Sequence, residues 1–178
     1  VMAGARPEHL PVILATAAAK ISSLTPSTTP FGSMLLVNGP VRNEVGMNSG
    51  LAVFSPGNLA NAVIGRAWTL MSICWGYARP KVTLWSSQGN GFLYNNMCFA
   101  ENEERSVWTP FHVTKGFQPE ESTVSIFKGW FVSNSLHAAS RRTVGEEISL
   151  QLSVIPALNS SATIVMDPAV ARQLKDTE

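Results

Sequence analysis

MLLVNGPVRNEVGMNSGLAVFSPGNLANAVIGRAWTLMSICWG, residues 34–76, reads as a strand, a long polar loop and a helix in that order. Met34 to Val37 is an uninterrupted apolar run closed by Asn38-Gly39-Pro40. It is too short for a helix and reads as a buried strand. The loop that follows, Gly46 to Gly57, carries glycine at 46, 50 and 57. A helix is expected from about Asn58 to Trp75, because Leu59, Val63, Ala67, Leu70 and Cys74 recur at spacings of 4, 4, 3 and 4. That spacing makes one apolar stripe, and Gly76 fits a C-terminal cap. Proteins built from such units place ligands beyond the C-terminal ends of their strands.

Toward the N-terminus, Val1 to Gly4 reads as a short buried strand and about Glu8 to Ser23 as a helix. Pro7 suits its first position and Glu8 the positive end of its dipole. Its expected apolar face is Leu10, Ile13, Leu14, Ala17 and Ile21. Residues 25–30, TPSTTP, are a loop by composition. Toward the C-terminus, strands are expected at Phe92–Phe99, Ser122–Phe127, Trp130–Ser133, Ile148–Ile155 and Ala162–Met166. Asp167-Pro168 opens a last helix. The expected fold class is α/β: a mixed, partly parallel sheet with flanking helices and a strand-rich middle. Residues 1–178 are expected to form a single domain, one part of a larger or two-chain unit.

The composition narrows the function. Only 14% of the 178 residues are charged and the net charge is +1, against about 25% charged in ordinary globular domains. A sparsely charged surface suggests a covering partner, either a second chain or a further copy of this one. The densest basic pair is Arg141-Arg142, so nucleic acid is a poor partner. No apolar run reaches the roughly 18 residues of a membrane span. Cys74 and Cys98 are too few and too far apart for a disulfide framework or zinc site. They fit free thiols in a cytoplasmic setting.

Three constellations carry candidate chemistry. In the loop and the helix it enters, Asn38, Gly39, Arg42, Asn48, Ser49, Gly57, Asn58 and Asn61 offer donors and acceptors for a substrate. The backbone at Pro56-Gly57-Asn58 is placed to hold an anion. Asn58, Asn61 and Gly65 share one helix face by spacing. No dinucleotide or phosphate-loop motif is present, and asparagines of this kind also cap turns and helix ends. Secondly, Glu101-Asn102-Glu103-Glu104 follows the strand ending at Phe99. Carboxylates at a strand end serve as general acid, general base or metal ligands. Alternation would put Glu101 and Glu103 on one side if the strand continued. Thirdly, His112 sits among apolar neighbours and is a proton shuttle toward Glu101 or Glu103, or a packing residue. Glu8 and His9, near the end of the first strand, could face the same pocket. His137 carries no assignment. No motif specifies a cofactor or a metal site, and the acids alone are weak evidence for Mg²⁺ or Mn²⁺.

Five blocks, MAGARPEHLP (2–11), VNGPVRNEVGMNSG (37–50), FSPGNLANAVIGRA (54–67), CFAENEE (98–104) and TPFHV (109–113), together resemble the later half of the bacterial UGSC-like family. These proteins are relatives of those carrying a UGSC or CGSC thiol or selenol motif. The likeness spans most of Val1 to Ser125. It implies a soluble bacterial α/β protein of enzyme type, with no defined reaction. It carries over Arg6, Glu8, Asn38, Gly39, Asn48, Ser49, Gly57, Asn58, Asn61, Gly65, Arg66, Glu101, Asn102, Glu103 and His112, without roles. The redox motif belongs to an N-terminal half and is not in this sequence. Ala5 stands where such proteins often carry Cys.

The expected function is an enzyme subunit that binds a small polar or anionic molecule. Glu101, Glu103 and His112 would perform acid/base chemistry of lyase or hydratase type. The rival is a noncatalytic subunit that completes the fold or active site of another chain. A third reading is a plain binding module.

Overall fold

The computed structural model describes residues 1–28, 32–129, 141–154 and 162–177. Three strands form its sheet: β1 (Gly32–Asn38), β2 (Met97–Ala100) and β3 (Thr123–Gly129), in the order β2-β1-β3. β1 and β2 are parallel, with Val37 opposite Ala100. β1 and β3 are antiparallel, with Asn38 opposite Thr123. The helices are α1 (Leu10–Ala18), α2 (Val41–Glu44), α3 (Leu59–Gly76), α4 (Phe111–Thr114), α5 (Val144–Ser153) and α6 (Pro168–Lys175). The mixed α/β class is as the sequence suggests, on a small sheet.

Strand alternation divides the core in two. Leu35 and Val37 of β1, with Cys98 and Ala100 of β2, face α1 and α3 and pack on Val12, Ala60, Ile64 and Trp68. Met34, Leu36 and Phe99 point to the other face, where Phe111 and Phe127 join them. The strands thus bury both faces, which is why β1 reads as a continuous apolar run. Trp68 is 1% exposed, and its indole nitrogen donates to the Ile21 carbonyl at 2.8 Å. That bond satisfies the polar atom that its burial would otherwise strand.

The inward face of α3 overlaps the expected stripe at Val63 and Ala67 and is otherwise shifted from it. Ala60, Asn61, Ile64, Gly65, Trp68 and Ser72 are buried with Val63 and Ala67. Leu59 and Cys74 of the predicted stripe are exposed. Small and polar residues win the inward positions because the chain at 95–98 runs very close to the helix. A Cβ on Gly65 would collide with the Asn95 carbonyl oxygen. The left-handed cap is Tyr77, at φ 52°, one residue beyond Gly76. In α1 the buried residues are Val12 and Thr16, whereas Leu10 and Leu14 are exposed.

Other expectations are corrected. Val1 to Gly4 is a turn, closed by the Gly4 amide on the Val1 carbonyl at 2.9 Å. The first helix is a short tight turn at Pro7–His9 continuing as α1, and it ends at Ala18 rather than Ser23. Of Phe92–Phe99 only Met97 onward is strand; Gly91–Tyr94 is a tight helical turn. Ile148 to Ser153 is helical, within α5, because Thr143 and Glu146 form a reciprocal capping box. Residues 162–167 have no regular structure, but Asp167 caps α6 as expected through bonds from the Ala169 and Val170 amides. The strand expected at Trp130–Ser133 and His137 lie outside the described residues. Among the described residues no helix is long and apolar enough to cross a membrane.

Candidate active site

The register of the parallel pair sets the site. With Val37 opposite Ala100, Asn38 and Glu101 leave the sheet side by side at its C-terminal edge. The Glu101 amide still bonds the Val37 carbonyl at 3.1 Å. Beyond it the chain turns, so Glu101, Glu103 and Glu104 do not follow strand alternation. Instead they gather around two residues from the end of β1 and from α2.

Asn38 is fully buried. Its amide nitrogen donates to Glu101 Oε2 at 2.6 Å and to Glu103 Oε1 at 2.9 Å. Turning the amide over would set oxygen against both carboxylates, so its orientation is fixed by charge. The cost is an Oδ1 that is buried without a hydrogen-bond partner among the described residues. The Gly39 amide donates to the same Glu103 oxygen at 2.8 Å. Gly39 is held at φ 82°, and a Cβ there would strike the Glu121 carbonyl. Glycine is required on both counts.

Arg42 is buried and bridges the acids. One of its terminal nitrogens donates to Glu103 Oε2 at 3.1 Å and to Glu104 Oε1 at 2.6 Å. The other donates to Glu104 Oε2 at 2.9 Å and to the Glu101 carbonyl at 3.2 Å. The hydrogen bonds from Arg42 hold the Glu104 carboxyl down to about 2, and the Glu104 partner raises the guanidinium in turn. Glu103 accepts on both oxygens, so Arg42 and Glu103 brace each other.

Glu101 is placed differently. Its Oε2 also accepts from the Phe111 amide at 2.8 Å, while no described residue donates to its Oε1. Glu101 lines a cleft of about 700 Å³ on the Met34, Leu36 and Phe99 face of the sheet. Residues 49–55 form one wall, Trp108 and Phe111 another, and residues 163–168 with Ala171 a third. Phe54 meets Phe99 edge-on, with ring centroids 4.9 Å apart, and Phe111 lies 5.2 Å from Phe127.

The asparagines of the loop hold the first wall. Asn61 accepts from the Asn48 amide at 2.9 Å and donates to the Asn48 carbonyl at 3.0 Å. Asn48 donates to Asn58 Oδ1 at 2.9 Å. Asn58 in turn donates to the carbonyls of Ala52, Val53 and Ser55. These amide groups fasten the loop to α3, and only Ser49 of the expected loop set lines the cleft. Gly57 adopts φ 101° at the turn into α3.

His112 is 1% exposed and does not line the cleft. Its Nε2 lies 3.4 Å from the Pro119 carbonyl, Nδ1 has no hydrogen-bond partner among the described residues, and no hydrogen bond joins it to Glu101 or Glu103. Glu8 pairs with Arg6 at 3.9 Å on the surface and makes no bond to the cluster. His9 is buried and takes the Arg6 amide at 3.2 Å. Cys98 packs behind the site, where burial pushes its thiol up to about 12.

The structure therefore brings together Asn38, Gly39, Arg42, Glu101 and Glu103, and of the expected site residues only Glu101 and Ser49 line the cleft. It leaves Glu8, Gly57, Asn58, Asn61 and His112 outside the cleft. Sequence reasoning missed Arg105, Trp108, Phe111 and the 163–168 wall. Only Arg105, two residues after Glu103, carried any local signal. Among the described residues no group of three His, Cys, Asp or Glu side chains could hold a metal ion. Comparison with family models, with curated proteins and with solved structures gives no match.

Proposed function

We propose that this chain is an enzyme subunit that binds a small polar or anionic molecule in the cleft and moves a proton with Glu101, in a lyase or hydratase type of reaction. One observation carries the reading. Glu101 is a carboxylate at the C-terminal edge of a parallel strand pair, anchored through one oxygen and lining an apolar cleft with the other free of described donors. Fixed orientation and a free lone pair are what a general base needs. Arg42 and Glu103 act as its scaffold. The likeness to the UGSC-like family fits a bacterial cytoplasmic protein of this kind.

The test is proton exchange. Small hydroxy and keto acids incubated with the protein in D₂O should exchange a carbon-bound proton, read by ¹H NMR. Glu101→Gln keeps an oxygen for both anchoring donors, so it should fold as wild type yet lose exchange by about 10² or more. Unchanged exchange in a folded Glu101→Gln protein would overturn the role.

A second reading is a noncatalytic subunit that completes another chain. Trp75, Tyr77, Val82, Trp85, Phe92 and Tyr94 are all exposed, more large apolar surface than isolated side chains explain. Co-purification of a second chain in fixed ratio would favour it.

A further inference from the structure

The lining of the cleft is specific enough to name a ligand class. We infer that the cleft takes a compact monocarboxylic acid with an aromatic or similarly flat apolar body, its carboxylate received by Arg105. This rests on the reading of the cleft as the working site.

Consider the charges first. Among the described residues three charged ones line the cleft: Glu101, Arg105 and Asp167. Each acid is anchored by the protein through one oxygen. Glu101 Oε2 accepts from the Asn38 amide nitrogen and the Phe111 backbone. Asp167 Oδ1 accepts from the Ala169 and Val170 amides at the start of α6, at 2.9 and 3.0 Å. Arg105 is the exception. Its backbone amide bonds the Asn102 carbonyl, but its guanidinium makes no hydrogen bond or ion pair with any described residue. Arg42 shows the contrast: its terminal nitrogens are engaged by Glu103 and Glu104. An exposed guanidinium on the lining of an apolar cleft, with no partner among the described residues, favours an incoming carboxylate, which it can bind with two parallel bonds.

The body of the ligand follows from the floor. Met34, Leu36 and Phe99 are 8%, 7% and 6% exposed, so little flat area is open beneath, and Phe111, Phe127 and Trp108 provide the sides. Aromatic walls select flat apolar groups. A volume of about 700 Å³ lies within the roughly 300–1,000 Å³ of small-molecule sites. With its carboxylate at Arg105, such an acid would lie with its chain toward the free side of Glu101.

Three probes of similar shape and different charge decide the matter: 3-phenylpropionate, 3-phenylpropanamide and 3-phenylpropylamine, titrated into the full chain by calorimetry. The acid should bind at least about tenfold tighter than the amide or the amine, the size of one charge-assisted contact. Arg105→Gln should erase that preference without moving the melting temperature, since Arg105 holds nothing in the fold. Arg105→Lys should restore part of it. Equal binding of all three, tightest binding of the amine, or an unchanged preference in Arg105→Gln would overturn the inference while leaving the cleft as a binding site. Failure of all three to bind would overturn both the inference and the reading beneath it.

Discussion

The Asn38 amide nitrogen lies 2.6 Å from Glu101 Oε2, a contact between the ends of two parallel strands that are far apart in sequence. It ties the carboxylate that lines the cleft to the centre of the sheet. The same nitrogen also holds Glu103, so one buried side chain orients two acids. Asn38→Leu should leave both carboxylates short of a donor beside each other. The expected loss is about 2–3 kcal/mol of stability, typical of hydrogen bonds to charged groups. Any turnover should fall further than that stability loss explains. Denaturant melts alongside the proton-exchange assay check this.

Arg42 should matter more to folding than to binding. It is 5% exposed and closes Glu103 and Glu104 against the end of β1. Arg42→Met removes the cation and leaves the largely buried Glu103 unpaired, which costs roughly 3 kcal/mol or more. A urea melt at neutral pH measures it. A shift below 1 kcal/mol would contradict the bracing role.

Two glycines give opposite tests of propensity and space. Gly65→Ala replaces glycine inside a helix, which by propensity alone would stabilise by about 1 kcal/mol. The collision with the Asn95 carbonyl reverses the sign, and a net loss is expected. Gly39→Ala combines a positive φ with a backbone collision and should cost about 2–3 kcal/mol or prevent folding. Thermal melts of both variants decide the signs.

The acid limb of stability should report Glu104. Its carboxyl is held at about 2, below its ordinary 4.5, so the folded state binds this proton more weakly than the unfolded chain. The stabilisation is therefore complete above the ordinary value and is lost as the pH falls from there toward about 2. Glu104→Gln should flatten that part of the profile. Because Glu104 is 58% exposed, added salt should shrink the difference. Melting temperatures of both proteins across this range check it.

The two thiols should separate cleanly. Cys74 is exposed, and Cys98 is buried with its thiol raised to about 12. Iodoacetamide on the native protein at pH 8 should add one label, at Cys74, and a second only after unfolding. Intact mass and peptide mapping read the result.

The parts of the fold legible in sequence are those where one signal dominates. β1 is plain because its residues are apolar on both faces, and α3 because it is long. The inward face of α3 was misread because Gly65 and Asn61, which look solvent-facing, are selected by a close chain crossing and by the loop they fasten. α5 was misread because Ile148, Leu150, Leu152 and Val154 alternate like a strand, while the Thr143 and Glu146 cap that decides the matter lies upstream. In the site, the grouping of Asn38 with Glu101 and Glu103 depends on the parallel register, which no local pattern states. Strand ends nevertheless put Asn38, Glu101 and Glu103 among the candidates. The asparagines of 48–61 looked like ligand groups because a polar side chain that holds a loop and one that holds a ligand have the same composition.

The most direct test of the account is to map where small carboxylic acids touch the protein. A two-dimensional NMR titration with a mixed panel of them should shift signals of Leu36, Phe99, Glu101, Arg105 and Phe111, and leave Glu8 and Gly57 to Asn61 unmoved. Shifts gathered at the start of α3 instead, or no shifts in the cleft at all, would contradict it.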